Sequence, residues 1–216
     1  WIGANTGVSV FDGTNWSTFG SPDLHWSGVV STSFDSQGDK WFASPLGGII
    51  HYDGNTFTNY DTSSGLLSMY TTSILVDDLD RKWTGTGSGM SVLDNSNSTF
   101  TNHTIMYELP PPDTLNPVVD IAEDSWGKIW TTIYVGYLAQ GGVAYYDGAS
   151  WIDFDESDGI TGPNVRGLAI DLQDNIWVAT STGVSMISAI SSSIEDIESN
   201  KFNLFPNPTT GNFTID

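Results

Sequence analysis

Carboxylates are the reactive groups this chain holds in quantity: 26 Asp and Glu stand against 6 Lys and Arg, a net charge of −20. The densest run is Asp153, Asp155, Glu156 and Asp158. Hard oxygen donors set this closely are what a calcium ion takes, so Ca²⁺ is the one cofactor the sequence suggests. The competing reading is a solvated acidic surface. The spacing is not that of an EF-hand loop, whose glycine is the sixth residue, because Gly159 falls one place late. Asp77, Asp78 and Asp80 form a sparser second candidate.

Other chemistry has less to work with. There is no cysteine, hence no thiol nucleophile and no disulfide framework. Gly-x-Ser-x-Gly, His-Glu-x-x-His and a phosphate-cradling glycine loop followed by lysine are all missing. A glycosidase needs two opposed carboxylates, and nothing singles out such a pair among so many acids. The net charge opposes nucleic acid and anionic lipid as partners. No apolar run approaches the ~18–20 residues of a membrane span.

A repeat places these groups. An aspartate lies six residues before a tryptophan, with Gly or Asp between them, in Asp35-Gly38-Trp41, Asp77-Asp80-Trp83, Asp124-Gly127-Trp130 and Asp171-Asp174-Trp177. Trp1 reads as the tail of a fifth copy whose front half precedes the chain. The five tryptophans stand 40 to 47 residues apart, the period of a four-stranded unit repeated side by side. Strand a of each unit begins twelve residues before its tryptophan, at Val29, Thr71, Val118 and Val165, in runs rich in β-branched residues. The aspartate then caps a tight turn, since its carboxylate can accept backbone N–H bonds and Gly or Asp tolerates positive φ. Strand b carries the tryptophan, and a glycine turn leads to strand c. Asp-Gly hairpin turns at Asp12-Gly13, Asp53-Gly54 and Asp147-Gly148 introduce strand d. That strand bears two aromatics three residues apart, Trp16 and Phe19, Phe57 and Tyr60, Trp151 and Phe154. Units of this kind are β-propeller blades, and counted by copy they hold three, four, four, four and three strands. The repeat tryptophans then belong to packing between blades rather than to a ligand.

Blade geometry locates any ligand site. Loops from strand d to the next strand a share a face with the b–c loops. The long ones are Gly20 to Gly28, Asp61 to Tyr70, Thr104 to Pro117, Ile133 to Gly142 and Asp155 to Asn164. They and their flanks carry His25, Trp26, Tyr70, Tyr107, Tyr134, Tyr137 and Arg166, which suit stacking on a sugar ring or packing on a peptide. The alternative for each is an aromatic folded onto the blade below. Pro110-Pro111-Pro112 stiffens the longest loop. His25, His51 and His103 fall at a d–a loop, a c strand and a d strand, so they share no repeat position.

The blades resemble the two-component-regulator propeller repeat, whose pattern runs through an aspartate turn, a tryptophan, a glycine, Phe/Tyr-Asp-Gly and a final aromatic. The second copy matches nearly throughout, with Asp35, Gly38, Trp41, Gly48, Tyr52-Asp53-Gly54, Phe57 and Tyr60. Gly65-Leu66 and Gly159-Ile160 echo the family's Gly-Leu entry to strand a. The third copy departs with Asp94-Asn95 for Asp-Gly, and the fourth has an insertion between Trp130 and Gly142. The resemblance covers residues 1–188 and implies the fold rather than a ligand.

Residues 189–201, serine-rich and then acidic, read as a linker. Residues 202–216 resemble the opening of a C-terminal sorting domain of the type IX secretion system, with Phe205, Pro206, Asn207, Pro208 and Gly211 carrying the likeness. That resemblance implies the outer-membrane secretion machinery as a partner and a secreted or cell-surface location. The expected architecture is all-β: a propeller fragment of about five partial or complete four-stranded blades, a linker, and the start of a β-rich sorting domain. The expected role is a non-catalytic binding or scaffold module with a glycan or protein ligand on its loop face. The alternatives are the ligand-sensing propeller of a two-component receptor and a polysaccharide hydrolase or lyase.

Overall fold

The computed structural model describes residues 1–20, 24 and 28–188. These residues form five antiparallel sheets, and no helix occurs among them. Blade one holds β1 (Ile2–Ala4), β2 (Gly7–Phe11) and β3 (Trp16–Phe19). Blade two holds β4 (Ser31–Phe34), β5 (Lys40–Ser44), β6 (Gly48–Tyr52) and β7 (Phe57–Tyr60). Blade three holds β8 (Thr71–Val76), β9 (Lys82–Thr86), β10 (Gly89–Leu93) and β11 (Phe100–His103). Blade four holds β12 (Val118–Glu123), β13 (Ile129–Val135), β14 (Gln140–Tyr146) and β15 (Trp151–Phe154), and blade five β16 (Val165–Ile170), β17 (Ile176–Thr180) and β18 (Val184–Ile187). Within each sheet the strands lie in sequence order. The strand count per copy is therefore the expected three, four, four, four and three.

Three local departures have physical causes. In blade two the first strand begins at Ser31 instead of Val29, and Val29 donates its N–H to Ala4 of blade one instead of to its own sheet. The insertion in blade four is not an open loop. It lengthens the b–c hairpin, whose register continues through Tyr134↔Gly141 and Val135↔Gln140. Blade three, without Asp-Gly, still turns: Asp94 accepts the N–H of Ser98, Asn97 takes a φ of 57°, and Phe100 and His103 supply the paired rings of strand d.

The repeat aspartate does more than hold its turn. One oxygen of each accepts backbone N–H groups, as Asp124 Oδ1 does from Trp126 and Lys128, while Oδ2 accepts the indole N–H of the tryptophan six residues on. The indole bond measures 2.7 to 2.9 Å in all four copies. The Asp–Trp spacing is thus a hydrogen-bonding distance, which satisfies a polar atom of a side chain that must otherwise be buried.

Three of the repeat tryptophans, Trp41, Trp83 and Trp130, face the following blade. Trp41 packs with Ile74 and Leu93 of blade three, Trp83 with Ile121 and Ile129 of blade four, and Trp130 with Ile176 and Ile187 of blade five. These three rings are 0, 1 and 4% exposed, whereas Trp177, on the last described blade, is 41% exposed. Side chains on the turns add ties between neighbours: Ser36 donates to Asp80 of the next blade, and Ser125 to Asp174. Basic residues are drawn inward. Lys40 lies over Trp1, Lys82 over Trp41, Arg81 over Trp83 and Lys128 over Tyr145. Lys82 is almost wholly buried, its ammonium donates to Asn97, and burial lowers its pKa. Four of the chain's six cations are therefore spent on ring faces, which leaves the acids to set the character of the surface.

Candidate functional site

The structure separates carboxylates that build blades from carboxylates that line space. Asp77, in the sparser acidic candidate, accepts the N–H groups of Leu79 and Arg81, the Arg81 guanidinium and the Trp83 indole. Asp80 is tied to Ser36. Both are committed to the fold and present no open ligand set. Among the described residues the one group of three metal-capable side chains with ligand atoms within 4.8 Å of one another is Asp35, Asp39 and His51. Its atoms are engaged as well. Asp35 holds Gln37, Asp39 and Trp41, while His51 stacks on Trp41 and contacts Asp39 through Nε2 at 2.9 Å.

The dense acidic run lies elsewhere, at a cavity of about 670 Å³ on the loop face. Three segments enclose it. The loop between blades three and four gives Tyr107 to Pro111, the tip of the blade-four hairpin gives Gln140 and Gly141, and strand β15 with the loop after it gives Asp153, Asp155 to Asp158 and Pro163. The volume is that of a small-molecule or side-chain site. All four acids of the run line it, together with Glu108, and no Lys or Arg does.

The walls are fixed by local hydrogen bonding. Asn116, fully buried, accepts the N–H groups of Met106 and Tyr107 and so pins the long loop. Tyr107 donates its hydroxyl to Asp155 at 3.2 Å, and the Glu108 N–H donates to Asp153 at 3.2 Å, so the two loops are joined across the cavity wall. Asp155 also accepts the N–H and hydroxyl of Ser157, and its own N–H donates to Asp158. Burial pushes the Asp155 carboxyl up, but the bonds from Ser157, Tyr107 and the backbone more than offset it and hold the pKa below the ordinary value. Burial first, and then the Asp155 charge, push the Tyr107 hydroxyl up, which keeps it a donor. The carboxylates ring the space without converging: Asp153, Asp155, Glu156 and Asp158 are not among the sets of three with oxygens inside 4.8 Å. The arrangement is an acceptor-lined recess beside the apolar surface of Leu109, Pro110 and Pro111.

The remaining candidates scatter. Tyr137 is exposed and donates to Asp113 of the long loop. Tyr134 lies in strand β13 and packs against the core between blades four and five, so it is not a loop residue. Tyr70 is exposed, bridges to Pro45 and lies over Gly87, one junction away from the cavity. Arg166 is exposed on strand β16. His103 stacks on Trp83 and accepts the Trp151 indole N–H, and burial pushes its pKa down. His51 and His103 thus serve two separate aromatic packings. His25 and Trp26 fall outside the described residues, as do Phe205, Pro206, Asn207, Pro208 and Gly211. Sequence reasoning missed Glu108, Leu109 and Gln140 as lining residues. The signal available for the first two was their place between Tyr107 and the three prolines of the longest loop.

No protein-family model matches the chain, and no curated protein sequence does. Solved structures do. The extracellular domain of a B. thetaiotaomicron protein assigned as a hybrid two-component system superposes with a TM-score of 0.69 at 21% identity, covering 96% of this chain and 26% of that one. PorZ of Porphyromonas gingivalis, a surface component of its type IX secretion system, gives a TM-score of 0.69 at 12% identity, over 92% of this chain and 32% of its own. A virginiamycin B lyase from Staphylococcus aureus gives 0.62 at 15% identity, over 88% and 58%. The chain thus spans about a quarter to a third of the first two structures. At these identities the likeness establishes a propeller-like fold.

Proposed function

We propose that this chain is part of an extracellular, non-catalytic β-propeller that binds a ligand on its loop face within an exported bacterial protein. The observation that carries the reading is the cavity: the longest loop, the extended hairpin of blade four and the most acidic loop of the chain meet around one recess. Its polar groups are tied down by neighbours, which suits a preformed binding surface. The fold likeness to an extracellular receptor domain and to a surface component of a secretion system supports an exported setting. No described helix is long and apolar enough to cross a membrane. Residues 202–216 would direct export through the outer membrane. Deleting everything after Lys201 in the parent organism should leave the melting of the propeller unchanged while the protein accumulates in the periplasm. Surface delivery of the truncated protein, or unfolding of its blades, would refute the export assignment.

The likeness to a two-component extracellular domain favours a second reading, a ligand-sensing propeller of a receptor. Under that reading the parent protein stays in the membrane fraction after export is blocked, whereas the secreted module is released in soluble form.

A further inference from the structure

We propose that the junction between blades three and four is an acid-sensitive joint, closed while His103 is neutral and loosened when it is protonated, so that pH acts on the recess built across it. The joint stands on its own contacts; only its bearing on a ligand rests on the loop-face binding reading above. Three successive junctions make the same ring contact. The second aromatic of each strand d meets the first aromatic of the next one edge-on: Phe19 and Phe57 at 5.7 Å, Tyr60 and Phe100 at 6.2 Å, His103 and Trp151 at 5.6 Å. The third contact is the one that can titrate near neutral pH. There the Trp151 indole N–H donates to His103 Nδ1 at 3.2 Å. An indole nitrogen only donates, so Nδ1 must offer a lone pair and the ring carries its proton on Nε2. Protonation would set two donors against each other. It would also place a charge among rings, since His103 stacks on Trp83 and meets Tyr146 at 5.2 Å.

No carboxylate compensates that charge. The two ion pairs among the described residues, His51 with Asp39 and Arg81 with Asp77, leave His103 out. Met90, its cross-strand partner in β10, carries no charge. The titratable groups on the other elements around it are engaged elsewhere. The Tyr146 hydroxyl donates to Gly148, and Arg81 over the Trp83 ring is paired with Asp77. Asp147 and Asp153, which flank Trp151, accept the N–H groups of Ala149, Ser150 and Glu108. Burial alone acts on the His103 pKa and holds it below the ordinary 6.5. The stability it contributes is therefore full above 6.5 and is lost as pH falls through the lowered value. His51 is the opposite case, stacked on Trp41 with the Asp39 carboxylate at 2.9 Å, so that protonation there keeps its partner. The recess spans the joint. Residues 104–117 continue directly from His103, and Tyr107 to Pro111 of that loop close on Gln140, Asp153 and Asp155 of blade four. Movement of β11 against β15 therefore shifts one wall of the recess against the other.

The test is nuclear magnetic resonance of the full chain between about pH 7.5 and about pH 5. The His103 ring should show the Nε2–H tautomer and take up its second proton only below 6.5. Amide exchange, corrected for the pH dependence of the chemical step, should then rise about tenfold in β11 and β15 and at Met106 and Tyr107, the upper range for one hydrogen bond lost. The amides of β7, at the equivalent place between blades two and three, should change less than about twofold. His103→Phe supplies the ring that Phe19 and Phe154 supply in their blades and should abolish the rise. Trp151→Phe should reduce it while leaving a histidine to titrate. Protonation of His103 at or above 6.5 overturns the proposal, as does a rise that survives His103→Phe or appears equally in β7. If β11 and β15 loosen while Met106 and Tyr107 stay protected, the joint does not reach the recess and the proposed action on it is refuted. No ligand enters the measurement, so none of these outcomes decides whether the loop face binds one.

Discussion

The loops that leave blades two and four are the same turn put to different use. In the first, Asp61 Oδ1 accepts the N–H and hydroxyl of Ser63, the Asp61 carbonyl accepts from Ser64 and Leu66, and Gly65 takes a φ of 111°. In the second, Asp155 Oδ1 accepts the N–H and hydroxyl of Ser157, its carbonyl accepts from Asp158 and Ile160, and Gly159 takes a φ of 110°. Leu66 and Ile160 are both buried, and the next residue in each case donates its N–H to a strand-c serine of the following blade, Ser91 or Ser185, at 2.9 Å. The scaffold therefore needs an aspartate, a serine, a glycine and an apolar residue. What differs is the charge hung on it and the presence, beside blade four alone, of a pinned tyrosine loop. The shared residues hold the turn, and the positions that differ carry the added carboxylates, of which Asp153 and Asp158 accept the N–H groups of Glu108 and Asp155.

The largest expected effect falls on the shared aspartate. Asp155→Ala removes both Ser157 bonds and leaves the buried Tyr107 hydroxyl without its acceptor, so it should cost about 2 kcal/mol. Asp61→Ala should lower the urea midpoint by less, because the bonds its carboxylate makes to Ser63 are exposed and no buried tyrosine depends on it. Equal shifts in the two midpoints would show that the Tyr107 contact contributes nothing and that the loops do not differ in the way described.

Exchanging the open positions should do much less. The triple variant Asp153→Asn, Glu156→Thr and Asp158→Ser gives blade four the residues of blade two. Asn keeps an oxygen for the Glu108 N–H, and Ser keeps one for the Asp155 N–H, as Ser64 offers Asp61. Stability should change by no more than about 0.5 kcal/mol, the range of surface substitutions away from special features. A loss of several times that size in the denaturation midpoint would mean the three acids are part of the fold.

The sequence made the strand order and the turns legible because their signals are local: an aspartate, a positive-φ residue and a tryptophan at a fixed spacing. It put the loops from Thr104 and from Asp155 on one face, and Tyr107, Asp155, Glu156 and Asp158 of those loops line one cavity, with Asp153 of strand β15 beside them. It did not reveal that the Asp–Trp spacing is itself a hydrogen bond, since two residues six apart meet only once the turn between strands is formed. Nor could it show that the insertion near Tyr134 extends a hairpin, because a run containing Gly and Tyr fits loop and strand alike, and pairing with Gly141 decides it. Gln140 was invisible for the same reason. A lone glutamine in a hairpin acquires meaning only from the loops that close over it.

Calcium offers the smallest expected effect and the sharpest separation of the two loops. A site of millimolar affinity at ten times its dissociation constant would add about 1.4 kcal/mol to the native state. In a domain of this size that raises Tm by roughly 3–5 °C. Such a gain requires several oxygens within reach of one ion, and the acids at the blade-four loop are not so placed. Asp155 is moreover occupied by Ser157 and Tyr107, and an ion would have to displace those donors. Diffuse attraction of the cation to exposed carboxylates remains, and it is screened by salt. The wild-type chain should therefore melt within about 1 °C in 10 mM calcium and in chelator, and the triple variant should show the same small difference. A rise of several degrees in the wild-type chain that the triple variant loses would make the acidic loop a metal site and the loop of blade two its unloaded counterpart.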